Sequence, residues 1–301
     1  MSLEIYQIII LLLIGALVGI SISFVGQTGQ GVVLPIVLLL TGDAFLAIAI
    51  NLLNDLVTSV FVSIGYIRKG ELEIRKDTFI IIIVAILISL IGVFILLITP
   101  IGNIYGWFIP LFIAILGFIF LYRGFPTTEN LKKTANKLSL RFQNKIKEKE
   151  AESNLLSSNE KENIQGFIPF GSRLFYILAI IFGIFIGINS GLFGANSGFI
   201  IVLALVLIYG YPIKKGVGTA LILSIIICLS TFVIYQFLGI LIKGQFFFNL
   251  EISFYLAIGS IITGITAALY VQKLSAKTMG RAVGIVIFTL GIISLIFYFI
   301  S

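Results

Sequence analysis

The sequence contains no histidine and a single cysteine, Cys228. A Ser-His triad, a His-ligated haem and a His-bearing catalytic zinc site are therefore excluded in this chain. One cysteine cannot form an intrachain disulfide or a thiolate cluster. Cys228 lies in an apolar run, where it reads as a packing residue. Charge is scarce as well: 11% of the 301 residues are Asp, Glu, Lys or Arg, against about 25% in a soluble domain. What fills the chain instead is 59% hydrophobic residues, gathered into long runs. That composition means a polytopic, all-α membrane protein. The net charge is +7, from 20 basic and 13 acidic residues. The basic residues sit between the hydrophobic spans, so nucleic acid is not an expected partner. The opening MSLEIYQ carries Glu4 and no Lys or Arg, so residues 5–24 read as a retained helix rather than a signal peptide.

Long apolar runs occupy 5–24, 44–66, 78–98, 106–122, 174–193, 215–238, 252–271 and 282–300. Each approaches the length of roughly 20 helical residues that a bilayer core requires. Two shorter runs, 32–42 and 199–210, each follow a polar, glycine-rich stretch: GQTGQG at 26–31 and GANSG at 194–198. Short segments at matching places in two halves of a chain point to a transporter binding site.

The basic residues decide whether the short runs cross. If they do, 19 of the 20 Lys and Arg fall on one side and only Lys243 on the other. If they turn back, the split is 15 to 5. The positive-inside rule favours the first arrangement, with ten segments and both termini outside. The halves also match internally. Gly15, Gly19, Gly26 and Val33 align with Gly183, Gly187, Gly194 and Ile201 at an offset of 168, and Tyr66, Gly70 and Leu72 with Tyr235, Gly239 and Leu241 at 169. An odd number of crossings per half makes the repeats inverted. The expected organisation is a first repeat at 1–122, a basic cytoplasmic linker at 123–173 and a second repeat at 174–301. In the linker, Leu131, Ala135, Leu138, Phe142 and Ile146 form one helical stripe among Lys and Arg. Two readings stand for it: a solvated connector, or an amphipathic helix on an anionic leaflet.

Asp55 is the one charged residue well inside a long run. With Asn51, Ser59 and Ser63 it repeats every four residues, a polar face that belongs against a cavity or another helix. It reads as a coupling or gating group for a proton or cation, or as an interhelical hydrogen-bonding residue. Asn51 and its second-half counterpart Thr219 are candidates for contacting a substrate. The two glycine-rich loops are the stronger candidates. Each precedes a short helix whose first N–H groups lack intrahelical partners and carry the positive end of the dipole. Glycine lets an anion approach such a backbone. The candidate lining is Gly26, Gln27, Thr28, Gly29, Gln30 and Gly31 from the first loop, and Gly194, Asn196, Ser197 and Gly198 from the second. If the repeats are inverted, the loops arrive from opposite faces and meet near the midplane. Gly15, Gly19, Gly183 and Gly187, spaced by four, read as helix-packing positions.

These motifs resemble the TauE/SafE family of membrane permeases, the sulfite exporters. The likeness rests on GQTGQGVVLP at 26–35 and its second copy GANSGFIIVL at 194–203. It extends to KKGVGTA at 214–220, more loosely AIAIN at 47–51, a short Y-x-x-x-G loop at 66–70 and 235–239, and the ending QKLSAKTMGRAVG at 272–284. Thr28 and Gln30 stand where glycines are usual in the first loop, and Leu203 replaces the second proline. The resemblance implies transport of sulfite, thiosulfate, sulfonates or related small sulfur-containing anions across the cell membrane. It implies neither cofactor nor enzymatic activity. A secondary transporter is the leading expectation. A passive anion channel, a carrier of an unrelated solute and a sensor signalling through 123–173 are the alternatives.

Overall fold

The computed structural model describes residues 3–26, 30–99, 173–195 and 197–270, with isolated helical positions between 111 and 122 and between 285 and 296. The expected spans at 106–122 and 282–300, the linker, Gln27–Gly29 and Asn196 lie outside the described residues or are only touched by them. The protein is all-α. The described helices are α1 (Ile5–Val25), α2 (Gln30–Thr41), α3 (Ala44–Ile67), α4 (Thr78–Ile98), α5 (Arg173–Phe193), α6 (Gly198–Leu207), α7 (Ile213–Lys243) and α8 (Leu250–Tyr270). Six of them, all but α2 and α6, are long and apolar enough to cross a membrane.

Local chemistry sets the helix ends. Gly26 stops α1 in the left-handed region at φ 66°, its N–H bonding to the Ile22 carbonyl. The Asp43 carboxylate starts α3 by accepting from the N–H groups of Phe45 at 2.8 Å and Leu46 at 3.1 Å. In α7 the expected boundary moves. Tyr235–Gly239 lies inside the helix instead of in a short loop. Apolar residues continue to Lys243, and Gly244 at φ 66° takes the stop position. Only the first copy of that motif ends a helix, with Gly70 at φ 69° just past α3.

Packing divides the helices into two groups. One holds α1, α2, α3 and α8; the other holds α5, α6, α7 and α4. Each group takes its last helix from the opposite half of the chain. The exchanged helix is gripped by small residues. A side chain on Gly15 or Gly19 would collide with the carbonyls of Leu256 and Ser260 in α8. Thr263 also donates to the Ala16 carbonyl at 2.8 Å and Ser23 to the Gly264 carbonyl at 2.6 Å. In the other group Gly183, Gly187 and Gly191 press on Val84, Ala85 and Ser89 of α4. The small-residue spacing read from the sequence is therefore helix packing at Gly15, Gly19, Gly183 and Gly187.

Helix directions follow from these registers. Positions 15, 19 and 23 of α1 meet 256, 260 and 264 of α8, and Thr58 and Val62 of α3 meet Ser260 and Gly264, so these three helices run the same way. Gly183, Gly187 and Gly191 advance along α4 in the same sense. Thr219 touches Glu73 just before α4, while Thr231 touches Ser190 beside the middle of α4, so α7 runs with α4 and α5. The central helices α3 and α7 are antiparallel. Gly218 begins α7 against Tyr66 at the end of α3, and Phe45 begins α3 against Phe247 beyond the end of α7. Because α1 and α3 point the same way, the segment containing α2 carries the chain back to the end where α1 began.

Charges separate by end among the described residues. Arg68, Lys69, Arg75, Lys76, Arg173, Lys214 and Lys215 occupy the end where α3 finishes and α4, α5 and α7 start. Lys243 lies at the opposite end, with Glu4, Asp43 and Glu251. Between the ends the outer surface is apolar, as with exposed Ile83, Leu87 and Phe94 on α4, which suits contact with lipid.

Candidate functional site

The polar residues of α3 lie on two faces of a helix that is buried along most of its length. The 54/58 face meets α8: Ser260 donates to the Asn54 Oδ1 at 3.0 Å, and Thr58 donates to Ser260 at 2.7 Å. This is interhelical hydrogen bonding of the kind that holds membrane bundles together. The 51/55/59 face is the one of interest. Asn51, Asp55 and Ser59 are each fully buried. Asn51 Nδ2 donates to the Gly194 carbonyl at 2.6 Å. The first half thereby grips the glycine loop of the second. One turn on, the Asp55 carboxyl comes near the Cys228 thiol of α7. Ser224 sits a turn before Cys228 on the same side of α7. Along this seam Asn51 Oδ1, Ser59 Oγ and Ser224 Oγ are buried without a hydrogen-bond partner. Such orphan groups are uncommon in a folded interior and ask for a ligand, water or ion.

The glycine loops also approach each other. A Cβ added to Gly26 would lie 3.7 Å from the Gly198 carbonyl group and 3.6 Å from Val202. Gly194 is held at φ 62°, and a Cβ there would press to 2.5 Å from Ile48 Cγ2. Ser197, immediately before α6, takes φ 55°, the one non-glycine left-handed residue among the described positions. For a residue with a Cβ this conformation is uncommon. Its hydroxyl is tied down on both sides, accepting from Asn189 Nδ2 at 2.8 Å and donating to the Ile186 carbonyl at 3.2 Å. Gly29 occupies the matching place in the first loop.

The structure places Asn51 against Gly194 and Gly26 beside Gly198 and Val202, with Ser197 bracing the second loop from behind. Gln30 and Gly31 open α2. Gln27, Thr28, Gly29 and Asn196 are outside the described residues. Thr219 sits elsewhere. Its hydroxyl donates to the Glu73 carbonyl at 3.0 Å and accepts from the Glu73 N–H at 3.1 Å, pinning the loop between α3 and α4 onto the start of α7. The same loop carries a cluster the sequence reading passed over. Arg75 pairs with Glu73 at 2.5 Å, Lys215 approaches Glu73 at 3.3 Å, and Arg75 lies over the Tyr211 ring at 4.7 Å. The Arg75 guanidinium, hydrogen-bonded to Glu73 with Lys215 beside it, holds that carboxyl below its usual range. At the opposite end Phe247, clasped through its backbone by Gln236, packs on Phe45 beneath Lys243. Asn189, Glu73 and Arg75 carry no spacing signal in the sequence; Asn189 is picked out by its bond to Ser197, and Glu73 and Arg75 by the docking of their loop on the start of α7.

A family model described as Sulfite exporter TauE/SafE matches residues 11–293. No curated protein and no solved structure matches the chain.

Proposed function

The chain belongs to the TauE/SafE family, and from that premise we propose that it is a secondary transporter exporting a small sulfur-containing anion such as sulfite, thiosulfate or an organosulfonate. The single observation that carries the site is the bond from Asn51 to the Gly194 carbonyl. It joins the two helix groups at a buried seam where other polar atoms have no partner. In this reading the loops at Gly26 and Gly194–Gly198 form the binding site near the midplane. Amide hydrogens at the starts of α2 and α6 hold the anion. Rocking of one helix group against the other along α3 and α7 exposes the site to each side in turn. The opposed directions of α1 and α5, α3 and α7, and α4 and α8 support an inverted-repeat plan. The concentration of Lys and Arg at one end supports placing that end and the linker in the cytoplasm, with the chain's start outside. Asp55 serves as the coupling or gating group.

Counterflow in proteoliposomes tests the reading. Saturable, trans-stimulated uptake of labelled sulfite, thiosulfate or a sulfonate is expected; no saturable flux of any of them overturns it. Asp55→Asn abolishes pH-driven flux if Asp55 couples transport to protons, and unchanged flux removes that role.

A further inference from the structure

Asn51 presents an unpartnered acceptor to the proposed site. Its amide orientation is set by the neighbour it touches: only the NH2 group can bond a carbonyl, and Nδ2 lies 2.6 Å from the Gly194 oxygen. Oδ1 is left on the seam, fully buried and without a partner. The next polar group along the face, the Asp55 carboxyl, accepts too when ionised. Ser59 and Ser224 hydroxyls, both unpartnered, can donate. Every described Lys and Arg lies in the end regions, so none stands beside Asn51, Asp55 or Ser59.

Resting on the transport reading above, we infer that the site selects a monoanion carrying its own hydrogen-bond donor, an O–H or N–H group, over a bare dianion or a donor-free monoanion. The loop amides receive the anionic oxygens. The substrate's donor fills Asn51 Oδ1. A dianion such as sulfate brings a second charge with no cation among the described residues to meet it and leaves Oδ1 unpaired. A site built around one hydrogen bond rejects an analogue that lacks the group, because its own buried polar atom then stays desolvated and alone.

The test compares two sulfonates of nearly equal size and equal charge. In proteoliposomes holding the full chain, 2-hydroxyethanesulfonate and ethanesulfonate compete with counterflow of labelled sulfite. The wild type is expected to be inhibited about tenfold or more better by the hydroxylated compound, with sulfate weaker still. Asn51→Leu loses both the bond to Gly194 and the acceptor, whereas Asn51→Gln keeps a neutral amide acceptor. The preference therefore disappears in Asn51→Leu and survives in Asn51→Gln. Equal inhibition of the wild type by the two sulfonates overturns the inference while leaving transport standing, and so does a preference that persists in Asn51→Leu. Absence of any sulfite counterflow overturns the transport reading itself. The wild-type comparison stands alone if either variant fails to fold.

Discussion

Gly194 and Gly26 hold equivalent positions and nearly the same backbone angle, yet replacing each by alanine has unequal consequences. Both variants force a Cβ into the left-handed region, which costs about 1–2 kcal/mol. At Gly26 the nearest atoms would be 3.6 Å away, ordinary contact, so nothing is added. At Gly194 the new methyl meets Ile48 Cγ2 at 2.5 Å and the Ile48 carbonyl at 3.3 Å, and Ile48 is buried. Overpacking of this kind costs about 1–3 kcal/mol more. Gly26→Ala is thus expected to destabilise by about 1–2 kcal/mol and Gly194→Ala by about 2–5. By the scaling of soluble domains, the difference corresponds to a melting midpoint lower by roughly 2–12 °C. Ile48→Leu removes the offending Cγ2 at small cost of its own, under about 1.5 kcal/mol. The double variant Gly194→Ala, Ile48→Leu recovers the overpacking part but not the backbone part. Thermal unfolding of the detergent-solubilised protein, followed by the emission of its one tryptophan or by circular dichroism, reads all four proteins. Equal losses at Gly26 and Gly194, or no recovery in the double variant, refute the packing of Gly194 onto α3.

Three further outcomes follow from the same geometry. Thr219→Val removes both bonds to the Glu73 backbone and lowers stability by about 1–2 kcal/mol, while the affinity for a competing anion stays unchanged; a large affinity loss would return Thr219 to the binding site. Because Arg75 and Lys215 hold the Glu73 carboxyl below the usual carboxylate range, this cluster stabilises the fold above that range and its contribution fades as pH falls through and below it. Glu73→Gln should therefore flatten the acid side of a stability-against-pH curve, and an identical curve would show that the cluster contributes nothing. Gly19→Val drives two methyls into the Ser260 carbonyl and Thr263, costing about 1–3 kcal/mol or more; a melting midpoint equal to wild type would deny the close approach of α1 and α8.

Hydropathy alone located the described spans to within a few residues, because a lipid-facing helix must be apolar along its whole length and cannot hide that in a sequence. Spacing by four exposed the packing glycines for a related reason: a backbone approach excludes every larger side chain at each turn. Asn51 and Asp55 were legible because polar groups in hydrocarbon are costly and stand out. What stayed hidden was which helix answers which. Nothing in the composition of α4 or α8 says that it docks against the other half. That choice is made by shape complementarity between Gly15, Gly19 and Gly259 on one contact, and Gly92, Gly187 and Gly191 on the other. Thr219 illustrates the limit. Internal alignment pairs it with Asn51, but an alignment cannot register that the Glu73 loop has claimed its hydroxyl.

The trading of α4 and α8 between the two groups sets a schedule for synthesis. When α1 enters the bilayer its glycine face has no partner, and the residues that will cover it, 256 to 264, are translated more than 200 positions later. Neither half holds all of its packing partners, and a chain truncated before α8 would leave that groove uncovered. Assembly of this protein is thus a matter of waiting as much as of packing.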